Sequence, residues 1–362
     1  MCGCGGGNGG GGGNPPPPPP PTAAPVVTTA NALGGAEIVS LASTTNGATI
    51  YYTVDGSTPT ASSPQYLAPF LVASNLTLKA IAVAGSNSSS VTSQTFTLNI
   101  PSGTLVWSDE FTNNTGAIAQ PNPQIWTYDT GTDCCGNNEL ETYCAWGNNT
   151  PPCSTANPSE YVGISDGYLH IEAQNPSANV YTSARLKTQG LFSFQYGRFE
   201  VRAQVPEAQG FWPAAWLLGN NITTVNWPAC GEQDVLERIN APATPDWNSG
   251  SIHGTGFTGG SLGTLFYFPT GQAAGSAFHT YGMIWSPGSV SYYVDNPNPP
   301  YYANYTPSSL SGLNGAVWPF DGGQSNFIIL NLAIGGSWPG PPDSSTPFPS
   351  EMLIDYVRVY TN

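Results

Sequence analysis

Apolar and polar residues alternate with a period of two along most of this chain, and turn signals break the alternation every ten residues or so. Residues 48–54 (ATIYYTV), 76–83 (LTLKAIAV), 168–173 (YLHIEA), 196–203 (YGRFEVRA), 327–332 (FIILNL) and 352–360 (MLIDYVRVY) read as strands. No long stretch shows helical periodicity between caps, and no run of about 18 apolar residues could span a bilayer. The pattern predicts an all-β protein. Residues 1–23 are Gly-rich and then carry Pro15 to Pro21, a composition that buries no core and predicts a disordered tether. Residues 24–100 predict a small β-sandwich module. Residues 101–362 suffice for two stacked sheets, a jelly-roll sandwich with one concave face open to a polymer.

One strand breaks its own alternation with acid. In residues 230–237 (CGEQDVLE), Glu232 and Asp234 share a face, whereas Glu237 lies at an odd offset and should point the other way. A β-bulge at Val235-Leu236 would turn it back beside its partners. Three carboxyls in one cleft cannot all ionise freely, so a protonated acid stands beside an ionised base or nucleophile, the pairing that cleaves glycosidic bonds. The bland alternative is an acidic patch on a solvated strand. Trp212, Trp216 and Trp227 flank this strand, with sugar stacking and core packing as competing roles.

Composition narrows the partner. Only 8% of the 362 residues are charged and the net charge is −15, which repels nucleic acid and anionic lipid. Seven basic residues are too few to clamp a densely sulfated polymer, so the expected substrate is a neutral polysaccharide. Of seven cysteines, Cys134, Cys135, Cys144 and Cys153 cluster and Cys230 lies beside the acidic strand. Adjacent Cys134-Cys135 lacks zinc-ligand spacing and no His is near in sequence, so disulfides of undetermined pairing and an oxidising compartment are expected. Cys2 and Cys4 before Gly-rich sequence resemble the mature start of a bacterial lipoprotein. The expectation is a secreted or cell-surface protein, lipid-anchored there in a precursor whose signal peptide this chain lacks; a secreted unanchored protein is the alternative.

Residues 47–60 (GATIYYTVDGSTPT) resemble the chitobiase or hexosaminidase C-terminal-like module appended to polysaccharide-degrading enzymes. The remainder resembles glycoside hydrolase family 16 in its laminarinase-like branch, on WSDEF (107–111), GNNEL (136–140), TSARLKT (182–188), GRFE (197–200), WPA (212–214), the acidic strand and DYVRVY (355–360). The resemblance implies a retaining hydrolase in which Glu232 is the nucleophile, Asp234 hydrogen-bonds and tunes it, and Glu237 is the acid/base. It implies endo-β-1,3-glucanase activity, with mixed-linkage glucanase, agarase-like galactan hydrolase, transglycosylase and a non-catalytic glucan-binding jelly roll as alternatives. It also implies sugar contacts from Trp212, Trp216, Trp227, Asn138, Glu139, Arg185 and His253, with Trp338 at the rim and His170 and His279 structural. No cofactor is implied for catalysis. A structural Ca²⁺ is implied at Glu110, the Gly167 carbonyl and Asp355. A monomer satisfies all of this. One departure stands out: Gln233 occupies a position where this family commonly has Ile or Leu facing the intersheet core.

Overall fold

The computed structural model describes residues 21–112, 118–132, 136–153, 162–165, 167–239 and 246–362. Of the expected disulfides, whose pairing the sequence leaves open, one joins Cys144 to Cys153, with Cα atoms 5.8 Å apart, and Cys230 is a buried free thiol. Cys2, Cys4, Cys134 and Cys135, and with them most of the expected tether and its anchor, lie outside the described residues.

Strands from Leu105 onward build two large sheets. In the first, eight strands run in the order Glu141–Tyr143, Val180–Ser183, Tyr168–Ser177, Ser350–Tyr360, Gly197–Gln204, His279–Ser286, Ser289–Val294 and Ala303–Tyr305. Two more, Val162–Ser165 and Leu105–Asp109, pair with Tyr168–Ser177 and Ser350–Tyr360. The second sheet has seven: Gly263–Tyr267, Trp247–His253, Glu232–Glu237, Phe211–Gly219, Asn326–Ile334, Arg185–Lys187 and Thr127–Asp129. Alternation decides what lies between them. Leu217, Leu236, Ile252, Ile328, Leu330 and Leu332 of the second sheet meet Phe199, Val201, Tyr281, Met283, Ile354 and Val357 of the first in one core. Every residue of Asn326–Ile334 is buried because the outer face of that strand is covered as well, with Phe327 and Ile329 lying under Trp216. This is the jelly-roll sandwich that the patterning predicts.

The strands up to Phe96 form a separate small β-sandwich. Val26–Asn31, Glu37–Ala42 and Phe70–Val72 make one sheet; Thr49–Thr53, Leu76–Ala84, Asn87–Ser88 and Thr92–Phe96 make the other. Its core is its own, built on Val39, Leu41, Ile50, Tyr52, Phe70, Val72, Leu78 and Phe96. A polar seam bonds it to the jelly roll. The Leu71 amide donates to the Ser193 carbonyl at 2.9 Å, and the Ser193 hydroxyl donates to the Pro69 carbonyl at 3.0 Å while lying 2.9 Å from Ser325 Oγ. Ser193 is fully buried, so these bonds are made away from water.

Candidate active site

The bulge falls where the odd offset demands it. Ladder partners of the acidic strand run Leu218↔Glu232, Leu217↔Gln233 and Trp216↔Asp234, then shift to Ala215↔Leu236 and Ala214↔Glu237, leaving Val235 as the extra residue. On the other side, pairing with Trp247–His253 covers only Glu232 to Asp234. The freed backbone groups are taken up by Asn248, which accepts from the Glu237 amide at 3.2 Å and donates to the Val235 carbonyl at 3.1 Å. A fully buried side-chain amide therefore holds the kink open.

Each acid has a distinct neighbourhood. Glu232 accepts from the Trp227 indole N–H at 2.9 Å, and Glu237 from the Trp212 indole N–H at 3.2 Å. Asp234 accepts from Ser251 Oγ at 2.8 Å and lies 3.0 Å from His253 Nε2, which is itself 3.7 Å from Glu232. The expected direct hydrogen bond from Asp234 to Glu232 is thus replaced by a histidine between them. The cause is register: His253 is the ladder partner of Glu232, and Ser251 that of Asp234. Burial and then the Asp234 charge push Glu232 up to about 8. Burial, Asp234 and then Glu232 push Glu237 up to about 8. Burial alone would lower His253, but the Asp234 hydrogen bond and the surrounding carboxylates outweigh it and raise it to about 9. An imidazolium therefore faces Glu232, along with a short indole bond. Glu237 has the longer indole bond and feels the same imidazolium charge. The two carboxyls are raised alike, so they share the task of holding a proton in the cleft.

The remaining expected contacts divide. Trp227 and Trp212 stand against the acids, and Trp227 is half exposed. Trp216 donates its N–H to Asn331 Oδ1 at 2.8 Å, and Asn331 in turn donates to the Tyr143 hydroxyl, which donates to Glu139 at 2.9 Å. A relay thus ties the rim residue Glu139 to the cleft floor. Neither Tyr143 nor Asn331 was legible in the sequence, since 188 residues separate them. Glu141, also unforeseen, is buried, accepts from the Ile334 amide at 2.7 Å and is raised to about 8 by desolvation and the Glu139 charge. Arg185 Nε is bonded to Asp129 at 3.0 Å, and its guanidinium lies over Trp216 at 4.8 Å, so it braces the ring. Asn138, in a left-handed conformation, donates to Ser337 Oγ at 2.8 Å. His170 and His279 pair with Glu351 and Asp295 on the other sheet.

Among the described residues, Glu232, Asp234 and His253 form the one group of three His, Cys, Asp or Glu side chains whose ligand atoms lie within 4.8 Å of one another. The expected calcium set does not fit. Arg358 grips both oxygens of Glu110 at 2.9 and 2.7 Å, and Arg202 pairs with Asp355. Two carboxylates already neutralised by guanidinium groups are not the free oxygens a hard cation requires.

Gln233 turns out to be satisfied on one side only. Its Oε1 accepts from Asn326 Nδ2 at 3.0 Å, while its Nε2 is buried without a partner. Asn326→Leu should therefore destabilise the protein by about 1–3 kcal/mol, because it leaves the whole Gln233 amide unpaired. Adding Gln233→Leu should recover most of that loss, as read from urea unfolding midpoints; an Asn326→Leu midpoint equal to that of wild type would contradict the pairing.

Comparison with known proteins agrees with this arrangement. The model of glycosyl hydrolases family 16 matches residues 153–355. The chain belongs to glycosyl hydrolase family 16. The model of the chitobiase/beta-hexosaminidase C-terminal domain matches residues 28–95. A beta-glucanase of Rhodothermus marinus is 35% identical over 270 residues, spanning 72% of this chain and 86% of that protein. Glucan endo-1,3-beta-glucosidase A1 of Niallia circulans is 34% identical over 71% of this chain, which spans 37% of that longer protein. Among solved structures, the laminarinase catalytic domain of Thermotoga maritima superposes with a TM-score of 0.61 at 36% identity, covering 72% of this chain and 99% of that one. Catalysis in a family 16 glycosidase calls on no cofactor.

Proposed function

We propose that this family 16 hydrolase is an endo-acting β-1,3-glucanase that cleaves laminarin-like glucan by retaining double displacement. The observation that carries the mechanism is the setting of Glu232 and Glu237 on one strand face, two carboxyls raised alike that hold a proton in the cleft, each under an indole N–H. In the first step a Glu232 carboxylate oxygen attacks the anomeric carbon, the glycosidic C–O bond breaks, and the Glu237 proton goes to the departing oxygen. In the second, ionised Glu237 takes a proton from water, the water oxygen bonds to the anomeric carbon, and Glu232 leaves as carboxylate. Asp234 serves as a positioning residue: it fixes His253 through a 3.0 Å contact and so keeps a positive charge beside the nucleophile.

The substrate class rests on two supports. The cleft presents indole rings with few free cations, which suits neutral sugar, and the relatives named above act on β-glucan. A glucan-binding jelly roll without activity is the other reading, and three intact acids speak against it. The test is reducing-end release from laminarin, lichenan and agarose with products sized by chromatography. Laminarin cut into short oligosaccharides is the expected result. Preferential cleavage of lichenan or agarose would overturn the linkage assignment, and tight binding of glucan without cleavage would restore the binding-protein reading.

A further inference from the structure

Carboxyls crowd at a second place beside the cleft. Glu139 and Glu141 sit where the rim loop enters the strand Glu141–Tyr143, with their side chains within hydrogen-bond reach of each other. Their surroundings differ. Glu141 is 1% exposed, whereas Glu139 is half-buried in the cleft wall: a Cβ on Gly336 would stand 3.5 Å from the Trp212 ring and 3.7 Å from Glu139 Cγ. The donors around the pair run one way. Trp216 donates to Asn331, Asn331 to the Tyr143 hydroxyl, and Tyr143 to Glu139 Oε2 at 2.9 Å. The Ile334 amide serves Glu141 Oε2 at 2.7 Å. Glu141 Oε1 is buried, and among the described residues no donor reaches it. Two carboxylates have no hydrogen to share, so their contact needs a proton. Burial decides which partner carries it, because charge costs far more at enclosed Glu141 than at Glu139, which water reaches. Oε2 already accepts, so the proton belongs on Oε1.

We propose that Glu141 is a positioning residue, a buried carboxylic acid that donates to the Glu139 carboxylate and holds it toward the cleft for a hydroxyl of the bound sugar. This role rests on the reading of the cleft as a glucan site. Glu139 is then gripped by the Tyr143 phenol and by the Glu141 acid, with Asn137 Nδ2 3.4 Å from its Oε1. A carboxylate fixed in this way accepts a sugar O–H with little ordering cost. The groups that face Glu141 give its titration a simple sense. Glu139 is the charge that bears on it, the Tyr143 phenol is raised well above its usual range by burial, and Arg185 on the next strand is bonded to Asp129. The neighbouring strands add the Tyr181 phenol, on the ladder partner of Glu141, and the Asn331 amide. Glu141 is raised to about 8, so the donor is present below that pH and lost above it, where two adjacent carboxylates repel and Glu139 is released.

The test uses full-length protein carrying Glu232→Gln and Glu237→Gln, so that neither acid of the cut site titrates and no glucan is cleaved. Infrared spectra of this parent at pH 7 should contain the carbonyl stretch of a protonated carboxyl that disappears when Glu141→Gln is added. In titration calorimetry the affinity of the parent for laminarihexaose should fall at least about fivefold from pH 6 to pH 9.5, the worth of one hydrogen bond. Adding Glu141→Gln, whose amide N–H donates at every pH, should remove most of that fall. Adding Glu141→Leu, which has no donor, should weaken binding at pH 6 about tenfold. An infrared spectrum unchanged by Glu141→Gln, or the same fall in affinity with and without it, would overturn the role. A parent that shows the band and binds no laminarihexaose at either pH would instead remove the glucan reading beneath it.

Discussion

Glu232→Gln is expected to lower laminarin hydrolysis by at least about three orders of magnitude, roughly 4 kcal/mol of transition-state stabilisation. The amide keeps the shape of the side chain and an oxygen for the Trp227 N–H, so the cleft should still bind glucan with little change. What disappears is the anionic oxygen that forms the bond to the anomeric carbon. The variant should also be more stable at alkaline pH, and the sign follows from linkage. Glu232 is raised from 4.5 to about 8 on folding. Its contribution to stability is therefore fully present below the unfolded value and lost as pH rises through the folded one. Removing the ionisable group removes that loss, so Glu232→Gln should melt several degrees above wild type near pH 9 and close to it near pH 4. Reducing-end assays and thermal melts at the two pH values check both halves. Hydrolysis within tenfold of wild type would exclude Glu232 as the nucleophile.

Glu237→Gln should lower laminarin cleavage by about three orders of magnitude for a different reason. A glucan leaving group departs as an alkoxide unless it is protonated, whereas fluoride leaves without a proton. The variant should accordingly release fluoride from β-laminaribiosyl fluoride in a first turnover close to that of wild type and then stall, because no base activates water. Wild type should lose activity as pH rises through the elevated Glu237 value of about 8. In the variant that alkaline limb should vanish from the fluoride burst. Quenched-flow measurement of the burst against pH decides the matter. A burst lost in parallel with laminarin cleavage would show that Glu237 does not act as the proton donor.

The sequence carried the strand pattern, the three acids and even the need for a bulge, because these are local: a period of two and an odd offset can be read from neighbouring residues. It did not carry what depends on register between distant strands. His253 stands between Asp234 and Glu232 only because it is the ladder partner of Glu232. Asn248, which closes the bulge, reads as an ordinary strand residue until the ladder beside it is seen to end at Asp234. The calcium set failed for the converse reason: Glu110 and Asp355 do offer hard oxygens, but Arg358 and Arg202 reach them across strand ladders that motif spacing does not reveal.

The seam between the two sandwiches has a mechanical consequence. Leu71, Pro69, Ser193 and Ser325 join the module to the end of the jelly roll through buried bonds, and the Asn220 amide continues the line at 3.0 Å to the loop just ahead of the acidic strand. Module and hydrolase therefore turn as one lever. Whatever surface the small sandwich rests against would also set the compass bearing of the acid face.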